Sequence, residues 1–166
     1  EAWDHYTRAR ELFRQATRQA NQEAQMLLRR AIDLDPNFAR AHATLAATYR
    51  RGWVWGWSDN PDDAEQRAVA TGQKAVELDR LLPQAHKELA SIYVYQRRHD
   101  EAIDEALKAV ELDRKSLSVN GDTATLRADV TVVYVDKRGA PEVIFVGILA
   151  DAEELKRRYD VEPASF

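Results

Sequence analysis

Three groups of side chains in this sequence could do chemistry: four histidines, a large set of carboxylates and a tight run of tryptophans. The histidines are His5, His42, His86 and His99. A zinc or metalloprotease site needs ligands on one helix face, as in His-x-x-x-His, with an acid in register. No pair has that spacing. His42 and His86 instead take the same place in two similar segments, Ala41-His42-Ala43-Thr44-Leu45-Ala46-Ala47-Thr48-Tyr49 and Ala85-His86-Lys87-Glu88-Leu89-Ala90-Ser91-Ile92-Tyr93, which reads as packing rather than ligation. Gly52 and Gly56 belong to the tryptophan run, while Gly139 and Gly147 stand alone, so no phosphate-cradling loop is present. There is no Gly-x-Ser-x-Gly elbow. Without cysteine there is no thiol nucleophile, zinc–thiolate site or disulfide. Asp33, Asp35, Glu77, Asp79, Glu111 and Asp113 all lie in a segment that recurs along the chain and read as structural. These residues assemble no catalytic constellation, and the expectation is a non-enzyme without cofactor or metal.

The recurring segment organises the chain. Ala31-Ile32-Asp33-Leu34-Asp35-Pro36, Ala75-Val76-Glu77-Leu78-Asp79-Arg80 and Ala109-Val110-Glu111-Leu112-Asp113-Arg114 share Ala, a branched apolar residue, an acid, Leu and Asp. Residues 83–116 form a gapless 34-residue unit with Leu89, Ala90 and Tyr93 in a first helix and Ala102 and Ala109 in a second. Small residues at those places let two helices approach closely, and the large ones fill the groove between them. This unit resembles the tetratricopeptide repeat family. Residues 39–82 show the same pattern through Leu45, Ala46, Tyr49, Ala68 and Ala75 with ten extra residues around Gly52 to Asp63, and residues 3–38 show it more loosely through Tyr6, Ala9, Phe13, Ala24, Leu28, Ala31 and Pro36. The resemblance implies a mainly α fold: an α-solenoid of about three helical hairpins over residues 1–116.

The opening Trp3-Asp4-His5-Tyr6-Thr7-Arg8-Ala9-Arg10, the Ala31–Pro36 ending and the Trp/Gly-rich insertion resemble repeats attached to bacterial adenylate/guanylate cyclases and related signalling proteins. That likeness implies a sensory or interaction region beside a separate catalytic domain. The family's first helices line a concave groove that receives a peptide or a partner domain. Counting along those helices places Arg8, Glu11, Arg40, Thr44, Ala47, Arg51, Lys87, Ser91 and Tyr95 near it. Arg40, Arg51 and Lys87 would pair with an acidic partner, and Tyr95 would pack on an apolar side chain. The same positions also suit a solvated helix face. The carboxylate clamp of chaperone-binding relatives is not reproduced, because Ala47 and Ser91 stand where its asparagines belong.

Trp53-Val54-Trp55-Gly56-Trp57 has period-two spacing, so an extended segment would set Trp53, Trp55 and Trp57 on one face. They would serve either as a plug over neighbouring helix ends or as an aromatic platform for a ligand, and the usual burial of large aromatics favours the plug. Beyond them, Asn60 reads as an N-cap, Pro61 as the first helical residue, and Asp62 and Asp63 as its first turn.

After residue 116 the pattern stops. Asn120-Gly121-Asp122 reads as a turn, Thr123 to Asp136 as a strand, and Glu142 to Leu149 as a second strand. Asp151 with Glu154 reads as a capping box opening a helix to Tyr159, so residues 117–166 read as a β-hairpin plus a short helix. A lone hairpin is marginal in water, which points to pairing in a homodimer or docking on another domain. Residues 117–166 carry six basic and nine acidic side chains, and residues 1–116 eighteen and nineteen. Neither half has the basic excess that nucleic acid demands. No apolar stretch reaches the roughly 20 residues that span a bilayer. The first residue is Glu1 rather than Met, which reads as a fragment, and the expected location is cytoplasmic.

Overall fold

In the computed structural model the backbone is described for residues 1–118, 129–135 and 141–148, and side chains for residues 1–113. Six helices form the N-terminal part: α1 (Ala2–Arg14), α2 (Arg18–Leu34), α3 (Ala39–Val54), α4 (Pro61–Leu78), α5 (Pro83–Tyr95) and α6 (His99–Ser118). They pack as three hairpins, α1 with α2, α3 with α4, and α5 with α6. Successive hairpins meet through α2 on α3, α4 on α5, and α3 on α5.

The repeated alanines make this packing possible. Ala24, Ala68 and Ala102 hold one position on the second helices and Ala31, Ala75 and Ala109 another, and all six are buried. Tyr6, Leu28, Leu45, Tyr49 and Ile92 form the main core with Ala24, Ala31 and Ala68, while Ala75 packs in a second cluster with Leu82 and Ala102 in a third with Leu89 and Tyr93. Gly72 marks a close crossing: a Cβ there would lie 3.3 Å from Ile92 Cδ1 and 3.4 Å from Leu89 Cδ1. Dense interiors leave no slack at such a point.

The linkers repeat as well. Asp35 Oδ1 accepts from Asn37 N at 3.1 Å, and Asp79 Oδ1 accepts from Leu81 N at 3.0 Å. The recurrent Asp therefore closes the turn between hairpins with its own side chain. Within each hairpin the turn uses one residue of positive φ: Ala16 (54°), Gly56 (68°) and Arg97 (60°). Thr17 and Asn60 cap α2 and α4 by accepting from Ala20 N and Asp63 N, and Pro61 opens α4.

Two differences from the sequence reading stand out. The third hairpin's last helix continues to Ser118, whereas α2 and α4 stop before the matching Asp35 and Asp79, each of which is followed within four residues by a proline, Pro36 or Pro83. The tryptophan segment is not extended, since α3 itself runs through Trp53 to Val54. Gly56 in the left-handed region then reverses the chain, and Trp57 N and Ser58 N both donate to Gly52 O, at 2.8 and 3.0 Å.

The backbone also shows β1 (Asp129–Val135) and β2 (Pro141–Ile148), paired antiparallel with a register break between Val132 and Val133. The expected turn at 120–122, the strand residues 123–128 and the helix at 151–159 lie outside the described residues.

Candidate partner-binding face

The first helices α1, α3 and α5 share one face, and polar side chains stitch them together across it. Gln84 Nε2 donates to Thr44 Oγ1 at 3.1 Å, and Thr44 in turn donates to Arg40 O at 2.9 Å. Thr44 is only 3% exposed, so it belongs to the seam between α3 and α5 and is not available at the surface. Ala47 is buried as well. Arg51 crosses the other way: its Nη1 donates to Phe13 O at 2.5 Å, and its guanidinium lies 3.5 Å from the centre of the Phe13 ring. It thus adds a second donor to the Phe13 carbonyl in the last turn of α1, which also accepts from Ala16 N at 3.4 Å. Burial, with Arg50 alongside, holds the Arg51 pKa below the usual guanidinium value, and Glu88 partly offsets this.

Arg50 and Glu88 were not singled out by the sequence, yet they form the firmest tie between α3 and α5, at 2.6 Å with both side chains mostly buried. They are separated by 38 residues, so no helical spacing flags them. Only an alignment of the repeats, one helix beside the next, could have paired them.

At the C-terminal end of this face the aromatic residues gather. Trp53 meets Tyr95 edge-on with centroids 6.2 Å apart. Arg50 stands 5.9 Å over the Tyr95 ring, and Arg51 stands 5.0 Å over Trp55. Trp55 meets Trp57 edge-on at 4.8 Å. Trp53 and Trp57 are half-buried, whereas Tyr95 and Trp55 are 46% and 49% exposed. The three indoles therefore do not share one face: Trp53 turns towards α5, while Trp57 lies over Gly52 and the start of α4.

The remaining cations lie along the same helices. Arg8, Arg40 and Lys87 are exposed and Ser91 is half-exposed. Among the described residues Arg8 and Arg40 make no ion pair, while Lys87 is near enough to Asp113 to favour its ionised form against the effect of burial. Two exposed guanidinium groups thus make no ion pair among the described residues, and arginines back the aromatic corner.

The two equivalent histidines prove to be linker ties. His42 Nε2 lies 3.1 Å from Pro36 O, and His86 Nε2 lies 2.9 Å from Arg80 O, each six residues back. His86 also meets Glu105 Oε2 through Nδ1 at 2.6 Å, fastening α5 to α6. Among the described residues no cluster of three or more His, Cys, Asp or Glu could hold a metal ion. No helix among them is long and apolar enough to cross a membrane.

Paired helices nested on small residues, with the linker contacts repeated from one pair to the next, define a helical-hairpin repeat protein. Residues 84–116 match the tetratricopeptide repeat family model. Over 102 residues it is 32% identical to a Rhizobium meliloti (strain 1021) protein named "Putative adenylate cyclase 3", spanning 61% of this chain but 17% of that protein. Among solved structures it is similar to a crystal structure of MamA, with TM-score 0.54 and 23% identity over 71% of this chain and 61% of MamA. A MamA RS-1 ArsTM double mutant gives TM-score 0.55 at 23% identity, over 71% and 59%. The chain therefore spans less than two thirds of each of these relatives, and the MamA likeness is one of fold.

Proposed function

We propose that this chain is an interaction module without catalytic chemistry of its own, which holds an acidic protein segment on the face formed by α1, α3 and α5. What supports the reading is that Arg8 and Arg40 are exposed and make no ion pair among the described residues, while Tyr95 and Trp55 are about half-exposed with arginines behind them. Unmatched guanidinium groups take carboxylates in bidentate fashion, and aromatic anchors set in a pocket supply most of an interface's energy. Lys87 and Ser91 would extend the contact along α5, while Thr44 and Arg51 hold the helices that present it. Photo-crosslinking tests this. A crosslinker at Ser91 is expected to trap a partner that one at Met26, exposed on α2, does not. Reversing the charges of Arg8 and Arg40 together should abolish that adduct. Equal trapping at both sites, or an adduct indifferent to charge reversal, would remove the groove from the reading.

The likeness to the Rhizobium meliloti protein favours a second reading, in which these repeats are a regulatory segment of a larger bacterial signalling enzyme. In that reading the module works in the cytoplasm, and the strand pair of residues 129–148 docks on a catalytic domain or on a second copy of the chain. Sedimentation equilibrium at high concentration checks the last point, since a strict monomer would eliminate the homodimer.

A further inference from the structure

Each first helix after α1 lies against both helices of the hairpin before it: α3 against α2 and α1, and α5 against α4 and α3. The strand β1 repeats that arrangement, lying against α6 and α5, the two helices of the last hairpin. Its backbone therefore holds the place that a fourth first helix would take at the end of the array.

The outer side of α6 is built for cover. Counting from the matching alanines, Ala68 with Ala102 and Ala75 with Ala109, Ile103 answers to Val69, Leu107 to Gln73 and Val110 to Val76. On α4, Val69 packs on the main core, and Val76 packs on the cluster that holds Leu89 and Tyr93 of the next first helix, α5. On α6 the same side is more apolar, with Leu107 standing where α4 has an exposed glutamine. With β1 alongside, Ile103 and Leu107 are still 49% and 45% exposed, so this stripe has apolar surface left to bury. The strands have the same need. They read Asp-Val-Thr-Val-Val-Tyr-Val and Pro-Glu-Val-Ile-Phe-Val-Gly-Ile. A two-stranded sheet is marginal alone in water, and the unbroken apolar run from Val143 to Val146 places such residues on both of its sides.

We propose that the pair β1–β2 closes on the Ile103 and Leu107 stripe of its own chain as the C-terminal cap of the array. One side of the pair then meets α6, and the other is left for docking on a further domain. The cap is independent of an acidic segment held by α1, α3 and α5, because its seat is on α6.

Cysteine crosslinking in the full chain tests this without background, since the sequence has no cysteine. Ile103→Cys is combined in turn with Val130→Cys, Thr131→Cys and Val132→Cys, successive positions that sample both sides of β1. At least one pair should close into an intramolecular disulfide in the monomer under mild oxidation, whereas Met26→Cys, exposed on α2, should close with none of the three. A second measurement uses Leu107→Asp, a change at a half-exposed position that leaves the core intact. It should cut the hydrogen-exchange protection of the β1 amides at least tenfold while α3 and α4 stay protected. The cap is overturned if no pair with Ile103→Cys closes, if Met26→Cys closes equally well, or if disulfides form only between chains, which would assign the strands to a second copy. It is overturned equally by β1 amides that are unprotected in the parent or as protected in Leu107→Asp as in the parent.

Discussion

The second and third hairpins are written in nearly the same residues, yet they present different surfaces. Each has a Leu-Ala pair followed by Tyr, two buried alanines on the second helix, and a histidine tied to the carbonyl six residues back. In the second hairpin α3 is enclosed by α2, α4 and α5, and residues 43–49 are buried without a break. In the third, α6 keeps Ile103 and Leu107 49% and 45% exposed. The difference teaches that the repeat pattern fixes how a helix meets its own partner, while the neighbouring hairpin decides how deeply each position is buried.

Overpacking should separate the two hairpins most. Ala68→Leu pushes a branched chain into a fully enclosed crossing and is expected to cost about 3 kcal/mol, against about 1 kcal/mol for Ala102→Leu, where one side of the helix can yield. Urea denaturation measures both, and equal losses would break the comparison.

The paired histidines come next. His86→Ala leaves Glu105 with Lys108 alone at a mostly buried site and should cost about 2 kcal/mol, whereas His42→Ala removes one bond to Pro36 O and should cost under about 1 kcal/mol. Their pH behaviour sharpens the contrast. Burial pushes the Glu105 carboxyl up, but hydrogen bonds from Lys108 and His86 outweigh it and hold the pKa below the ordinary 4.5. A folded pKa below the unfolded one gives stability that is present above 4.5 and is lost as pH falls through the folded value. Thermal melts should therefore show an acid decline that Glu105→Gln flattens. Burial also depresses His42 below 6.5, mainly by disfavouring its charged form. Acidification through that region should cost stability in the parent but not in His42→Gln.

The smallest effect lies in the turns. Ala16 and Arg97 hold the left-handed conformation that Gly56 adopts without strain. Ala16→Gly and Arg97→Gly should each stabilise by about 0.5 kcal/mol, while Gly56→Ala should destabilise by about 1 kcal/mol. Chemical denaturation of the three variants reads the order directly.

Much of this was legible because a repeat states each rule more than once. Ala68 with Ala102, and Ala75 with Ala109, align by eye, and the need for close helix approach explains them without coordinates. Asn60, Pro61 and Asp63 announced the start of α4, since capping depends on neighbours in sequence. The face was legible only in part. Arg8, Arg40 and Lys87 stand exposed on the first helices, but counting along one helix could not reveal that Thr44 is covered by Gln84 or that Arg51 reaches the end of α1.

The sequence by itself settled the hairpins, their linkers and the positions that must stay small, because those follow from contacts a few residues apart, repeated at a near-constant interval. Only the tertiary structure decided that Arg50 pairs with Glu88 and that Trp53 turns from Trp57 towards Tyr95. Those outcomes depend on how far one hairpin is rotated and shifted against the next, a quantity set by the summed packing of many side chains and written in no single stretch of the chain.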